Sequence, residues 1–252
     1  MINKSHIPSG HKEILTDDGS TTLYSEAYNE ACHSTSGAVN ETILHYLKGC
    51  EIEEKLKIRN ELHILEVGFG TGIGFLETYK LSQKYSCKVN FTSLEIDENL
   101  IVYFFEKNKL NYTKEENFYA YKNDQISLSI YYGNARSSIK KITTKFDAIY
   151  QDAFSPKKNA ELWTTQWFMT LKEKAHDDCL MSTYSSSSSI RKSMINGGWK
   201  LYKGEKFGPK RSSTRGRLSG STEIDILEQL QRSPAIEITD ENFKAYQEGK
   251  LS

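Results

Sequence analysis

The sequence predicts an α/β domain, a doubly wound and mostly parallel sheet with an N-terminal extension, and three observations carry that expectation. Short apolar runs alternate with helix-length stretches from residue 62 onward, as parallel strands joined by crossover helices do. Gly68, Gly70, Gly72 and Gly74 crowd the turn after the first apolar run. An acid, Glu95, closes the second run, at the sheet edge where such folds collect ligands.

Taken in order, residues 1–60 read as the extension. Asp18-Gly19 between EILT and STTLYS is a hairpin signal, and Ala38, Ile43, Leu44 and Leu47 recur near helical spacing before Gly49 closes the helix. The polar segment EIEEKLKIRN then leads into the main domain, residues 61–222. Its expected strands are 63–68, 89–96, 126–132, 146–151 and 179–185; its expected helices lie near 72–85, 98–109, 160–175 and 188–196. WKLYKGEKFG and the segment past Arg215 supply a last antiparallel pair, and 223–252 form a partly helical tail. At 252 residues the chain suits one large domain with an elaboration, since a single core stops growing at roughly 250 to 300 residues.

Composition excludes several classes. No run approaches the roughly 20 apolar residues of a membrane span, and the N-terminus lacks the basic-then-apolar pattern of a secretory signal. A cytoplasmic protein without membrane partners is expected. Cys32, Cys50, Cys87 and Cys179 form no C-x-x-C pair, which argues against a zinc site or a disulfide framework, so no metal is expected. Net charge is +0, so no whole-molecule field draws in nucleic acid. Between Arg191 and Arg217, however, nine Lys and Arg face one acid, Glu205. That excess suits either a phosphate backbone or an ordinary solvated face. Nothing marks an obligate oligomer; a monomer or weak homo-oligomer is the expectation.

The glycine turn is the most informative string, ILEVGFGTGIGF at 64–75. Glycines there permit unusual backbone angles and close approach of a ligand to the free amides of the next helix. Such a turn alone fits nicotinamide, flavin or S-adenosylmethionine. Here Glu66 stands two residues before Gly68, giving E-x-G-x-G-x-G, a spacing unlike the G-x-G-x-x-G dinucleotide fingerprint. The sulfonium nucleoside S-adenosyl-L-methionine is therefore favoured. Glu95 in SLEID suits its ribose hydroxyls, with Asp97 as a neighbouring competitor. In GNAR, Asn134 offers an amide to the adenine edge with Ala135 beside it, although methyl-transferring enzymes often carry Asp there.

FDAIYQDAFSPKKNAELWT, residues 146–164, sets Asp152, Phe154 and Pro156 at the same sheet edge. An acid, an aromatic and a proline facing a cofactor suit amine methylation, where acceptor and aromatic wall orient a nucleophilic nitrogen. An N-cap Asp with a helix-starting Pro would look the same. The helical spacing of Trp167 favours core packing; Trp163 is open between core and base stacking.

Together ILEVGFGTGIGF, DAFSPKKNAELWT, LMSTYSSSSSIRKSMINGGWKLYKGEKFGPKR and DGSTTLYSEAYNEACHSTSGAVNE resemble the MnmD family and the N-terminal methyltransferase domain of bifunctional MnmC, over roughly residues 14–217. The resemblance implies a class I, Rossmann-like methyltransferase that methylates the amine of 5-aminomethyl-(2-thio)uridine at the tRNA wobble position, with the anticodon stem-loop as partner. It implies that Gly68, Gly70 and Gly72 hold the methionine part of the cofactor, Glu95 its ribose, and Asp152 and Phe154 the reacting amine. Lys210 and Arg211 would face the tRNA, and the E-x-x-H-S string from Glu30 through His33 to Ser34 would cover cofactor or substrate. Without an oxidase domain after it, the chain resembles the stand-alone form. It departs from the family at Cys32, where Tyr is expected, at Lys206, where Gly is expected, and in SSTRGR, where an apolar stretch with methionine is usual. Rival readings are a methyltransferase for a small-molecule or protein amine, an adenosine-cofactor binder without catalysis, and, last, a nicotinamide oxidoreductase.

Overall fold

Two compact units make up the chain, Met1–Ile43 with Glu53–Ile142, and Leu44–Ile52 with Thr143–Ser252. The computed structural model describes residues 7–207 and 212–251.

The first unit opens on an antiparallel meander of β1 (His11–Leu15), β2 (Thr21–Ser25) and β3 (Glu30–Ala31). Its first turn is the expected hairpin. Asp18 accepts from the hydroxyls of Thr16 and Ser20 and from the Asn40 backbone N–H, which ties the turn to helix α1 (Ala38–Thr42). The chain then passes through α2 (Ile52–Ile58) into β4 (Glu61–Val67), α3 (Ile73–Ser82), β5 (Lys88–Glu95) and α4 (Glu98–Asn108). A short hairpin, β6 (Thr113–Lys114) with β7 (Phe118–Lys122), precedes β8 (Ile126–Tyr132) and α5 (Ala135–Ser138). β4 pairs parallel with β5 and β5 with β8, while β7 runs antiparallel along β8. Leu62, Ile64, Leu65 and Val67 are all buried, the near-continuous apolar run of a strand covered on both faces.

The second unit holds β9 (Phe146–Gln151), α6 (Thr165–Glu173), β10 (Ala175–Thr183), α7 (Ser188–Asn196), β11 (Lys200–Lys203), β12 (Thr214–Arg217), α8 (Ile224–Arg232) and α9 (Phe243–Gln247). β9 and β10 are parallel; β12 is inserted antiparallel between β10 and β11, the expected last pair. All six residues of β9 are buried.

Three expectations need correction. The helix read across 160–175 is broken. Ala160–Trp163 is a 3-10 turn, and the Thr164 hydroxyl then caps α6 by accepting from Trp167 N at 3.1 Å. The helix read from Ala38 to Leu47 is α-helical only to Thr42, and Ile43–Lys48 forms a π-helix. EIEEKLKIRN, read as a polar connector, contains α2. No helix among the described residues is long and apolar enough to cross a membrane, and no group of three or more His, Cys, Asp or Glu among them is placed to hold a metal ion.

Candidate functional site

In the first unit the turn after β4 and the end of β5 build one cradle. Glu66 is buried on β4 and accepts from Ser93 Oγ at 3.0 Å. Gly68 N donates to Leu94 O, which ties the turn to β5. Gly70 has φ +54° and donates its N–H to Glu95 Oε2 at 2.9 Å. Gly72 has φ +76°, and a Cβ there would lie 2.3 Å from Phe104, so this glycine serves close packing of the loop on α4. At Gly70 a Cβ would make ordinary contact with Cys32 at 3.5 Å and His33 at 3.7 Å. The E-x-x-H-S string therefore does lie against the glycine turn.

Glu95 and Asp97 separate cleanly. Glu95 is buried and accepts from Gly70 N and Asp97 N, each at 2.9 Å. Burial pushes its carboxyl up from the usual range; the backbone N–H groups of Asp97, Gly70 and Ile96 pull it back, and the Asp97 charge adds to the rise. Asp97 caps α4, accepting from Asn99 N at 2.9 Å, and lies 3.8 Å from His11 Nε2. A carboxylate offers about four lone-pair sites. Glu95 thus fits a vicinal diol donor, such as a ribose, while its backbone partners hold it in place.

Asn134 is exposed and caps α5: its Oδ1 accepts from Arg136 N at 2.9 Å and from Ser137 N at 3.3 Å, with Ala135 opening the helix. Its amide oxygen is thereby used in capping, and its NH₂ is the group suited to a ligand. His33 Nδ1 lies 2.9 Å from Thr22 Oγ1, and desolvation lowers its imidazole from 6.5 to about 4, which keeps the ring neutral at physiological pH. Glu30 lies at the start of β3, and Ser34 N donates to buried Glu41 at 2.7 Å. Glycine turn, buried acid, neutral imidazole and capped α5 together fit the uncharged, hydroxyl-bearing adenosine part of S-adenosyl-L-methionine.

In the second unit Asp152 leaves the end of β9 half-buried, and Tyr46 donates its hydroxyl to Asp152 Oδ1 at 2.5 Å. Tyr46 stacks on Tyr150 at 5.3 Å between centroids. The rest of the turn is laced by its own carbonyls. Tyr184 donates to Ala153 O at 2.9 Å, Trp163 Nε1 donates to Phe154 O at 2.8 Å, and Lys158 N donates to Ser155 O at 2.7 Å across Pro156. Phe154 and Pro156 remain half-buried at the surface of this turn. Trp163 and Trp167 are both buried; Trp167 bonds Gln151 at 3.1 Å. Neither is placed for base stacking. The sequence alone assigns no role to Tyr46, Tyr150 or Tyr184, and only proximity in the fold gathers them around the Asp152 turn.

Among the described residues, the cations of the basic segment have different surroundings. Arg191 is buried, bonding Thr214 Oγ1 at 3.0 Å and Gln229 Oε1 at 2.8 Å. Lys192 reaches the carbonyls of Ser233 and Ala235, Lys203 pairs with Asp225, Arg215 pairs with Glu51, and Arg217 lies 3.9 Å over the Tyr202 ring. Arg191 and Lys192 are built into the fold, whereas Lys203 and Arg217 are exposed cations with surface partners. Lys210 and Arg211 lie outside the described residues.

Comparison with known proteins places this geometry. A family model described as S-adenosyl-L-methionine-dependent methyltransferase matches residues 98–219. The bifunctional protein MnmC of Leptospira interrogans, named for tRNA 5-methylaminomethyl-2-thiouridine biosynthesis, is 29% identical over 82% of this chain, and its namesake from Azoarcus sp. is likewise 29% identical over 82%. The chain spans about a third of the length of these curated relatives, 35% in each case. The crystal structure of MnmC2 from Aquifex aeolicus is similar at 31% identity with a TM-score of 0.80, covering 94% of this chain and 81% of that one. Such a match extends to the α/β, class I methyltransferase architecture as a whole. The chain belongs to the MnmC2 family of S-adenosyl-L-methionine-dependent methyltransferases.

Proposed function

We propose that this chain methylates the exocyclic amine of 5-aminomethyl-(2-thio)uridine at the wobble position of tRNA, giving 5-methylaminomethyl-(2-thio)uridine, in the cytoplasm and with the anticodon stem-loop as its macromolecular substrate. The observation that carries the reading is a carboxylate, Asp152, held by a buried phenol in the turn that follows β9, in a chain whose relatives are named for this modification.

When bound, S-adenosyl-L-methionine supplies an electrophilic methyl carbon. Gly68, Gly70 and Gly72 would hold its methionine part, with Glu66 supporting the turn through β5. Glu95 would accept the ribose hydroxyls, and Asn134 and Ala135 would meet the adenine. Asp152 receives an N–H of the neutral amine and so directs its lone pair, with Phe154 and Pro156 walling the turn. An ordinary carboxylate, ionising at about 3.9, is a weak base at neutral pH, so orientation and field contribute more than proton abstraction. Positive charge grows on nitrogen during transfer, and the Asp152 carboxylate stabilises that charge. Asp152→Ala is expected to lower kcat by roughly 10²-fold or more while calorimetry still registers nucleotide binding.

Mass spectrometry of wobble nucleosides from cells lacking the gene tests the substrate. Accumulation of the aminomethyl nucleoside supports it; an unchanged nucleoside profile favours a small-molecule or protein amine. A chain that binds S-adenosyl-L-methionine, methylates no acceptor and tolerates Asp152→Ala would instead be a cofactor binder without catalysis.

A further inference from the structure

Tyr46 lies on no recognisable motif, yet its surroundings give it a defined place. It sits on the π-helix Ile43–Lys48, is buried, and spans from the Tyr150 ring to Asp152 Oδ1. The π-helix is pinned on both sides of Tyr46. Ser182 donates its hydroxyl to His45 O, and Cys50 Sγ donates to Ile149 O at 3.5 Å. Gly49 completes the clamp, for a Cβ there would fall 1.9 Å from His45 O and 2.4 Å from Ser182 Oγ. Inserting one residue into a helix costs hydrogen-bond geometry and recurs where a side chain must be re-aimed. Here the re-aimed side chain is Tyr46.

A phenol donating to a carboxylate makes a charge-assisted bond. It engages one of about four lone-pair sites, so it is compatible with a second donor on the same carboxylate. We infer that Tyr46 is a positioning residue for methyl transfer, fixing the angle at which Asp152 meets the acceptor nitrogen. This inference rests on the reading of Asp152 as the amine's partner. In the reaction the nitrogen lone pair forms the new C–N bond, the C–S bond breaks and its electron pair stays on sulfur. The nitrogen keeps its protons through that step, and the ammonium formed later releases one to water. A carboxylate already fixed in angle needs no reorganisation as the charge appears, so Tyr46 acts on kcat and leaves nucleotide affinity alone.

The test is a double-mutant cycle of Tyr46→Phe and Asp152→Asn in the full chain. Single-turnover rates are taken with labelled methyl donor and an aminomethyluridine stem-loop, alongside calorimetric nucleotide binding and urea midpoints. Tyr46→Phe keeps the stacked ring; a kcat lower by roughly 10- to 100-fold is expected, shrinking to less than about twofold in the Asp152→Asn background. Equal losses in both backgrounds, or no loss in wild-type background, overturn the positioning role. Should Tyr46→Phe fold poorly, fluorotyrosine at position 46 preserves packing but ionises at lower pH. The alkaline limb of the rate profile then shifts down in pH, and an unmoved limb overturns the role. Wild-type protein that methylates no aminomethyluridine stem-loop overturns the functional reading itself, a result independent of how the variants rank.

Discussion

Glu95 and Asp97 stand two residues apart at the end of β5, and their partners assign them different tasks. Asp97 spends its carboxylate on the α4 cap, whereas Glu95 is held by backbone N–H groups at the glycine turn. Asp97→Ala is therefore expected to cost about 1 kcal/mol of stability with nucleotide affinity retained. Glu95→Gln should weaken nucleotide binding by roughly tenfold or more, since a hydrogen bond to a charged group is lost. Calorimetry and urea unfolding on both variants separate the two. His33 makes a pH prediction. Its folded-state pKa, about 4, lies below the ordinary 6.5, so between these values the unfolded chain binds more protons. This contribution to stability is complete above pH 6.5 and is lost as pH falls toward 4, by up to about 1.4 kcal/mol per pH unit. Urea midpoints should show a shallower acid slope in His33→Phe than in wild type; parallel slopes would contradict the neutral imidazole.

At the scale of elements, strands were more legible than helices. β8, β9 and α7 stand where periodicity put them: β8 alternates buried and half-buried residues, β9 is buried at all six positions, and α7 buries one helical stripe. The glycine turn was legible too, since its positive φ angles restrict which residues fit there, and Glu95 closes β5 as the strand pattern predicts. The π-helix was not. Its apolar positions match an α-helical stripe, and the extra residue is imposed by β9 and β10, through Ile149 and Ser182, long-range partners that local pattern cannot show. Tyr46 was missed for the same reason. Arg191 looked like surface charge because its shell, Thr214, Gln229 and Ser213, arrives from distant segments. Gly49→Ala tests the clamp on the π-helix. Overpacking against His45 O is expected to cost about 1 to 3 kcal/mol in urea unfolding and to lower kcat with it; a variant as stable and active as wild type would show that the clamp yields freely.

For the whole molecule, zero net charge means that binding of a polyanion, such as the tRNA of the proposed reaction, would draw on local cations. Arg191 and Lys192 are committed to partners within the fold, while Lys203 and Arg217 stay exposed. Filter-binding titrations over a salt series should accordingly give an unchanged slope for Lys192→Ala, and for Lys210→Ala a slope reduced by roughly 0.7 to 0.9 for a phosphate contact removed. The most direct test of the central claim is transfer of labelled methyl from S-adenosyl-L-methionine to purified tRNA, with Asp152→Ala as control. Label found in the wobble nucleoside, dependent on its aminomethyl group and lost in the variant, is the predicted result; label absent from tRNA, or retained at wild-type rate by Asp152→Ala, would contradict it.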